Sequence, residues 1–463
     1  MRRGVLEHPI AAPPSAEALV MALAADASLL DGLVWLDSGL GALTGRSLVA
    51  MGHAVALDHA APVLPQLRAE LAALPAETSA GGDPVPLGLI GWFGYELRDE
   101  TMGMPVPLVP SNHRAAWLRV DRGVAFDHST GSARLVALDD SDSGTGEWSG
   151  ELDEWRHAML AVLARAATAS VDPPAAVVPL GPIVERDTDA NYADLVRQCQ
   201  LSIREGDAYQ LCLTTQSSVQ SADGEPLDAL AIYRRLRRSS PAHHGALLSI
   251  AGTTLLSASP ETFLRVADGV VKTRPIKGTR PRDADPERDA ALAAELAASD
   301  KEQAENLMIV DLMRNDLSRV SELGSIAVTG LLEVESYAHV HQLVSTVEGR
   351  LLEGLDVLDA VAACLPAGSM TGAPKRRAIE LLADLERAPR GIYSGAFGYL
   401  GADGTADLAM VIRSIIIEGA TATVGAGGGV TALSEPLAEV AEMRLKAAAL
   451  LRALAGDAEH GTR

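Results

Sequence analysis

Lysine is almost missing from this chain. Five lysines, Lys272, Lys277, Lys301, Lys375 and Lys446, stand against 34 arginines, and none precedes residue 272. The bias, with so much Ala, Gly, Val and Leu, reads as a coding preference that uses Arg wherever Arg will serve. A retained Lys is then a candidate for chemistry Arg cannot do. A lysine amine can lose its proton and attack; a guanidinium stays charged. Lys277, in Pro275-Ile276-Lys277-Gly278-Thr279-Arg280-Pro281-Arg282, is the one singled out.

Cysteine and basic charge are also scarce. Cys199, Cys212 and Cys364 show no CxxC or zinc spacing. An odd, sparse set suits a reducing cytoplasm, where cysteines pack as small hydrophobes. The 39 basic residues face 61 acidic ones, a net charge of −22. That field disfavours nucleic acid and anionic membrane as partners, and an anionic substrate would need a local basic pocket. No apolar run reaches the length of a membrane span. Met1-Arg2-Arg3-Gly4 leads to Glu7, His8 and Pro9 rather than an apolar stretch, so no signal peptide is read.

What is present suits a large core. At 463 residues the prior is two to three domains. Residues 15–75 mix helical and strand-like pieces, and residues 88–95 read as a strand entering a glycine-rich turn. Residues 139–154 read as a solvent loop, with a helix over 151–168. Pro173, Pro174, Pro179 and Pro182 mark 169–189 as a connection. Beyond it, helices are expected over 196–205, 227–238, 284–320 (broken near Ser299-Asp300) and 436–454. Strands are expected over 209–216, 245–257, 262–267, 270–273, 394–400 and 406–418. Residues 425–429, Gly425-Ala426-Gly427-Gly428-Gly429, read as a turn. Adjacent strands mixed with helices give an α+β class (mixed α/β) rather than a doubly wound parallel fold. The division is a domain over 1–170, a linker over 171–189, a second domain over 190–455 and a tail over 456–463.

Three groups of residues could carry chemistry. Glu302 and Glu305 share a helix face, as do Glu439, Glu442 and Lys446. Two helices each presenting a glutamate pair could hold Mg²⁺ through carboxylate oxygens. Glu261, at the Ser259-Pro260-Glu261 turn, could be a general acid if burial raises its pKa. The glycines of 425–429 and the turn Gly368-Ser369-Met370-Thr371-Gly372-Ala373-Pro374-Lys375 let backbone amides approach an anion. His339 and His341 have no acid or thiol at metal-ligand spacing and read as packing or substrate contacts.

Taken in order, these segments resemble the chorismate-utilising enzymes. The resemblance is carried by Gly206-Asp207-Ala208-Tyr209-Gln210, Ser259-Pro260-Glu261, residues 275–282, residues 305–317, residues 368–375, Tyr393-Ser394-Gly395-Ala396-Phe397-Gly398-Tyr399 and residues 425–429. It is close over 190–455 and looser before that. Leu36-Asp37-Ser38 and Gly91-Trp92-Phe93-Gly94-Tyr95 look like the aminating branch. The resemblance implies an anthranilate synthase component I-like β-sheet core with helices outside. Relatives that add water carry Lys where this chain has Gln210, so amination is expected. Lys277 replaces the Ala usual in C2-aminating members, which points to amination at C4 and to 4-amino-4-deoxychorismate, toward p-aminobenzoate. Amination at C2, giving anthranilate, is the alternative.

The same resemblance implies the roles. Mg²⁺ would be held by Glu305 and Glu442, with Glu302 and Glu439 in support. Lys277 would be the nucleophile and Glu261 the acid. Tyr393, Arg413, Thr371, His341, Gly425, Gly427, Gly428, Gly429 and Lys446 would bind chorismate. No Cys-His-Glu amidotransferase part is read, so ammonia would come from solution or from a separate glutamine amidotransferase subunit. Relatives often bind tryptophan in the N-terminal domain; Leu36-Asp37-Ser38 matches part of such a pocket, and the point is left open.

Overall fold

The computed structural model describes residues 4–25, 31–75, 85–139, 148–171, 179–337 and 339–456. Most of the expected acidic loop (140–147), part of the connection (172–178) and the tail from 457 lie outside the described residues.

Apolar residues on both faces of the strands set the architecture. In Leu33–Asp37, Val34 packs into one core, while Leu33 and Trp35 pack into a second. The same alternation separates Leu48 from Val49, Leu248 from Leu247 and Leu255 from Leu256. A strand that is apolar on both faces must be covered on both. The chain answers with a twelve-stranded and a ten-stranded antiparallel sheet that share one core. Helices Ala16–Ala24, Gly150–Thr168, Asp189–Arg204, Ala229–Ser239 and Pro436–Ala455 close the outer face of the larger sheet. Asp300–Ser318 and Val357–Cys364 pack against the smaller one. Helices over antiparallel sheets agree with the α+β expectation. Among the described residues, no helix is long and apolar enough to cross a membrane.

Both sheets draw strands from either side of the connection. Leu33–Asp37 pairs with His244–Ile250, Trp35 opposite Leu247. Gly88–Phe93 pairs with Ala396–Gly401, Gly91 opposite Gly398. The two parts of the sequence therefore build one sandwich.

Two crossings between the sheets decide where the site lies. The chain leaves the larger sheet after Thr253–Ser259 and enters the smaller with Thr262–Ala267, turning at Pro260-Glu261. It returns between Ala406–Met410 and Ser414–Glu418, turning at Arg413, whose φ of 51° is left-handed. The crossings lie side by side. The Met410 N–H donates to the Glu261 carbonyl at 3.0 Å, and the Ala258 N–H to the Arg413 carbonyl at 3.1 Å.

Three sequence readings change. Residues 406–418 form two strands in different sheets, because buried apolar residues continue straight through the corner and hide it. Residues 245–257 are a hairpin, His244–Ile250 and Thr253–Ser259, turned by Ala251 and Gly252, both at positive φ. Residues 425–429 are not a turn but part of the strand Thr421–Val430. The break expected near Ser299 is present; Ser299 caps Asp300–Ser318, its hydroxyl accepting from the Glu302 N–H at 3.5 Å.

A buried ion pair ties several site segments together. Arg390 meets Glu386 through two hydrogen bonds of 2.7 and 2.9 Å. It also donates to the carbonyls of Met370 at 2.6 Å and Cys212 at 2.8 Å. Glu386 accepts from the Thr214 N–H at 2.9 Å. Replacing Arg390 with Met leaves Glu386 buried without its cation. A loss of about 3–5 kcal/mol is expected by urea unfolding. A loss below about 1 kcal/mol would mean the pair is no stronger than a solvated one.

Candidate active site

The crossings open onto a cavity of about 1500 Å³ between the sheets. Glu261 and Arg413 stand at its wall, one from each crossing. Lys277 enters from Ile276–Pro281, an edge strand of the smaller sheet. Glu302 and Glu305 come from Asp300–Ser318, and Glu442 and Lys446 from Pro436–Ala455. Tyr393 and the backbone of Gly425, Gly427, Gly428 and Gly429 complete the sequence-predicted set that lines the cavity.

Burial and charge set the proton affinities. Burial pushes the Glu261 carboxyl up, against the opposing pull of Ser369, Lys277 and Lys446. Lys277 shows the reverse balance. Burial works to strip its proton, but Glu305 first, then Cys212, Glu261 and Glu442, hold it on, so its pKa is raised. Burial also raises Glu305, opposed by Lys277 and Lys301. Glu442 ends below its ordinary value: burial acts upward, and Lys446, 2.7 Å away, outweighs it. Burial lowers the Arg413 pKa, although a guanidinium remains charged. Tyr393 is pushed upward by burial. A cationic group beside a buried tyrosine hydroxyl suits a carboxylate.

The glycine strand explains itself by close approach. It pairs along its length with Gln210–Gln220, Gly427 opposite Thr214. Its other neighbour, Ser414–Glu418, accompanies it only as far as Val424. From Gly425 onward the strand keeps only Gln210–Gln220 as a neighbour, and its other side borders the cavity. A Cβ at Gly425 would lie 2.3 Å from the Tyr393 ring, and one at Gly427 2.2 Å from the Leu213 carbonyl oxygen. The backbone is thus exposed to a ligand because no side chain fits there.

Three expected residues stand elsewhere. Thr371 is fully buried and its hydroxyl donates to the carbonyls of Ala367 at 3.2 Å and Gly368 at 3.4 Å. It braces the turn from behind. His341 is buried with both ring nitrogens engaged, Nε2 with Asp289 at 2.9 Å and Nδ1 with Ser336 at 2.8 Å. Strand alternation turns its neighbour Gln342 to the cavity instead. Glu439 is buried behind the lining, where the Ser434 hydroxyl donates to it at 2.7 Å.

Sequence reasoning missed Ser369, which lines the cavity with a buried hydroxyl close enough to Glu261 to oppose the rise of its pKa. Its position two residues before Thr371 in a shared turn was the available signal. Gln210 is 2% exposed, and its side-chain oxygen is unpartnered among the described residues. Leu36, Asp37 and Ser38 line the far end of the same cavity. The Asp37 carboxylate is already engaged by Arg237 and by the Tyr233 hydroxyl at 3.2 Å.

Among the described residues, no three His, Cys, Asp or Glu side chains close on one point as a metal site. Cations stand among the carboxylates. Lys301 lies 3.9 Å from Glu305 and 3.7 Å from Glu439, Lys446 lies 2.7 Å from Glu442, and Arg280 lies 3.7 Å from Glu302. The donors nevertheless suit Mg²⁺, which prefers hard carboxylate oxygens. They also flank bare backbone. A Cβ at Gly428 would sit 3.1 Å from Glu439 Oε2 and 3.7 Å from Glu442 Oε1; one at Gly429 would sit 3.6 Å from Glu305 Oε2.

Carboxylates, ammonium groups and a guanidinium around one cavity make a site for an anionic small molecule. Residues 41–452 match the family model of chorismate binding enzymes. The chain belongs to that family. It is 40% identical to an aminodeoxychorismate synthase of Streptomyces pristinaespiralis, the match covering 96% of this chain and 64% of the relative. This chain thus spans less than two thirds of that relative's length. It is 37% identical to anthranilate synthase component 1 of Streptomyces coelicolor, covering 81% and 74% of the two chains. The crystal structure of anthranilate synthase component I from Streptococcus pneumoniae TIGR4 superimposes with a TM-score of 0.70 at 27% identity, covering 96% of this chain and 92% of that one.

Gly425→Ala tests the close-approach argument. The added methyl cannot coexist with the Tyr393 ring where it now lies. A destabilisation of roughly 1–3 kcal/mol in urea is expected. An unchanged midpoint and slope would show that the ring moves freely and the glycine is dispensable.

Proposed function

We propose that this chain converts chorismate and ammonia to 4-amino-4-deoxychorismate, with Lys277 as a covalent nucleophile and Glu261 as the acid. The observation that carries this reading is that the two groups enter one cavity, Lys277 from a strand and Glu261 from a sheet crossing, and shift each other's proton affinity. The relatives named aminodeoxychorismate synthase support it. Arg413 and Tyr393 would take one carboxylate, with the bare strand at Gly425, Gly427, Gly428 and Gly429 close against it.

The Lys277 amine bonds to C2 while the ring double bonds shift and the C4–O bond breaks. Glu261 supplies the proton with which that hydroxyl leaves as water. Ammonia then bonds to C4, the double bonds shift back, and the Lys277 amine leaves C2. The nitrogen ends where the hydroxyl was. Glu305 and Glu442 would hold Mg²⁺, with Glu302 and Glu439 behind them, and the bound ion would offset the charge of the ring carboxylate. Lys446, fixed by Glu442 and by the Gly427 carbonyl at 2.9 Å, adds positive charge to the same wall.

Ammonia is read as coming from solution or a separate glutamine amidotransferase. The chain's cysteines support this: burial pushes Cys199 up to about 12 and raises Cys212 and Cys364, the opposite of an activated thiol. A tryptophan, if this chain takes one, belongs at the far end of the cavity beside residues 36–38.

Chorismate, Mg²⁺ and ammonium are incubated with the purified chain and with Lys277→Ala, and products are identified by mass and retention time. A 4-amino product from the parent, lost or diverted to the 2-amino isomer in the variant, is expected. Anthranilate from the parent would replace this reading with the C2-aminating one.

The pH dependence follows from the two shifts. The reactive pair is neutral Lys277 with protonated Glu261. It holds the same number of protons as the charged pair, so its population is greatest between the two pKa values. The acid limb of kcat/KM should lie above the ordinary glutamate value of 4.5, because burial raises Glu261. Activity is lost as pH falls through that limb. A limb at or below 4.5 would remove Glu261 as the acid.

A further inference from the structure

We propose that Lys301 is a built-in counter-cation of the carboxylate cluster, which a divalent cation must displace to bind, so that Lys301 sets how tightly the metal is held. The proposal rests on the reading of Glu305 and Glu442 as metal ligands.

Three observations place Lys301 in this role. First, its ammonium bridges carboxylates from two different helices, 3.9 Å from Glu305 and 3.7 Å from Glu439. These distances are too long for charge-assisted hydrogen bonds, which run about 2.7–2.9 Å. The ammonium is therefore attracted without being fixed. Lys446 differs: it is 2.7 Å from Glu442 and donates to the Gly427 carbonyl at 2.9 Å. Lys301 is also 52% exposed, so it can withdraw into water.

Second, its position is a poor one for helix stability. Lys301 is the second residue of Asp300–Ser318, next to the positive end of the helix dipole. Asp300 and Glu302 beside it suit that end; a lysine opposes it. Its favourable interactions are with the clustered carboxylates.

Third, it is one of five lysines in a chain with 34 arginines. An arginine here could lock onto a carboxylate in a two-pronged pair. A lysine offers a point charge that leaves readily. The ammonium now takes the place between the carboxylates that a cation would take. With it withdrawn, Glu305 and Glu439 lose the charge that now lies between them.

The test is Mn²⁺ binding to the full-length chain without chorismate, followed by calorimetry and by the spin-resonance signal of free Mn²⁺. Wild type is compared with Lys301→Met, Lys301→Arg and Glu305→Gln. Lys301→Met keeps the stem and removes the charge. It should bind Mn²⁺ roughly three- to tenfold more tightly, the range allowed for a half-exposed charge at this separation. Lys301→Arg should bind no more tightly than wild type, and the advantage of the Met variant should shrink as salt rises. Equal or weaker binding by Lys301→Met, while Glu305→Gln weakens binding, overturns the proposal and leaves the metal ligands standing. If wild type binds no Mn²⁺, or if Glu305→Gln binds it as wild type does, the metal reading itself falls and the proposal with it.

Discussion

The two sheet crossings are the constraint on which the site depends. A strand that leaves one sheet and enters the next must turn where both sheets still need hydrogen-bond partners. Here two such turns solve the problem for each other: Met410 bonds to Glu261, and Ala258 bonds to Arg413, through their backbones. That brings the backbones of Glu261 and Arg413 side by side, and both residues line the inter-sheet cavity. Arg413 sits in a left-handed conformation that costs a non-glycine residue of order 1–2 kcal/mol, held by the sheets on either side. Short turns clamped between strands of both sheets therefore fix both groups, as precise chemistry requires. The Arg390–Glu386 pair extends the same logic, joining the carbonyls of Cys212 and Met370 to the Thr214 amide.

Much of the site was legible because its chemistry is written in scarce residues. Four of the five lysines, Lys272, Lys277, Lys301 and Lys446, line the cavity, and the fifth, Lys375, is paired with Asp316 at 2.6 Å. Helical spacing correctly put Glu302 with Glu305, and Glu442 with Lys446, on shared faces toward the cavity. What spacing could not supply was the direction of residues whose polar atoms are equally content facing inward. Thr371 and His341 found partners behind the wall, while Ser369 and Gln342, one or two residues away, took the cavity side. The choice is made by tertiary packing and strand phase, neither of which a motif encodes.

The fold shows a similar limit. The strands Thr262–Ala267 and Val270–Arg274 were plain from their short, bounded runs. Ala327–Ser336 was not, because nearly all of its residues are exposed or half-buried. The corner at Arg413 was concealed for the opposite reason: burial on both sides left no polar mark. The glycine strand misled because glycine signals a turn far more often than a close approach. Only the position of Tyr393 against Gly425 shows that the missing side chains make room.

A charge argument joins these features. The chain carries −22 overall, yet the cavity gathers Lys277, Lys301, Lys446 and Arg413 against Glu302, Glu305 and Glu442, with Glu439 behind them. Each cation has a different freedom. Arg413 is fixed by the backbone corner and Lys446 by two short contacts. Lys277 stands within reach of several carboxylates that keep its proton, and Lys301 hovers between two. On our reading the substrate brings two negative charges, and a divalent cation would offset them while displacing only the loosest ammonium. The same cation would draw on Glu305 and Glu442, two of the carboxylates that hold the proton on Lys277. Binding would then weaken the grip on that proton at the moment a neutral amine is required, which couples occupation of the site to readiness of its nucleophile.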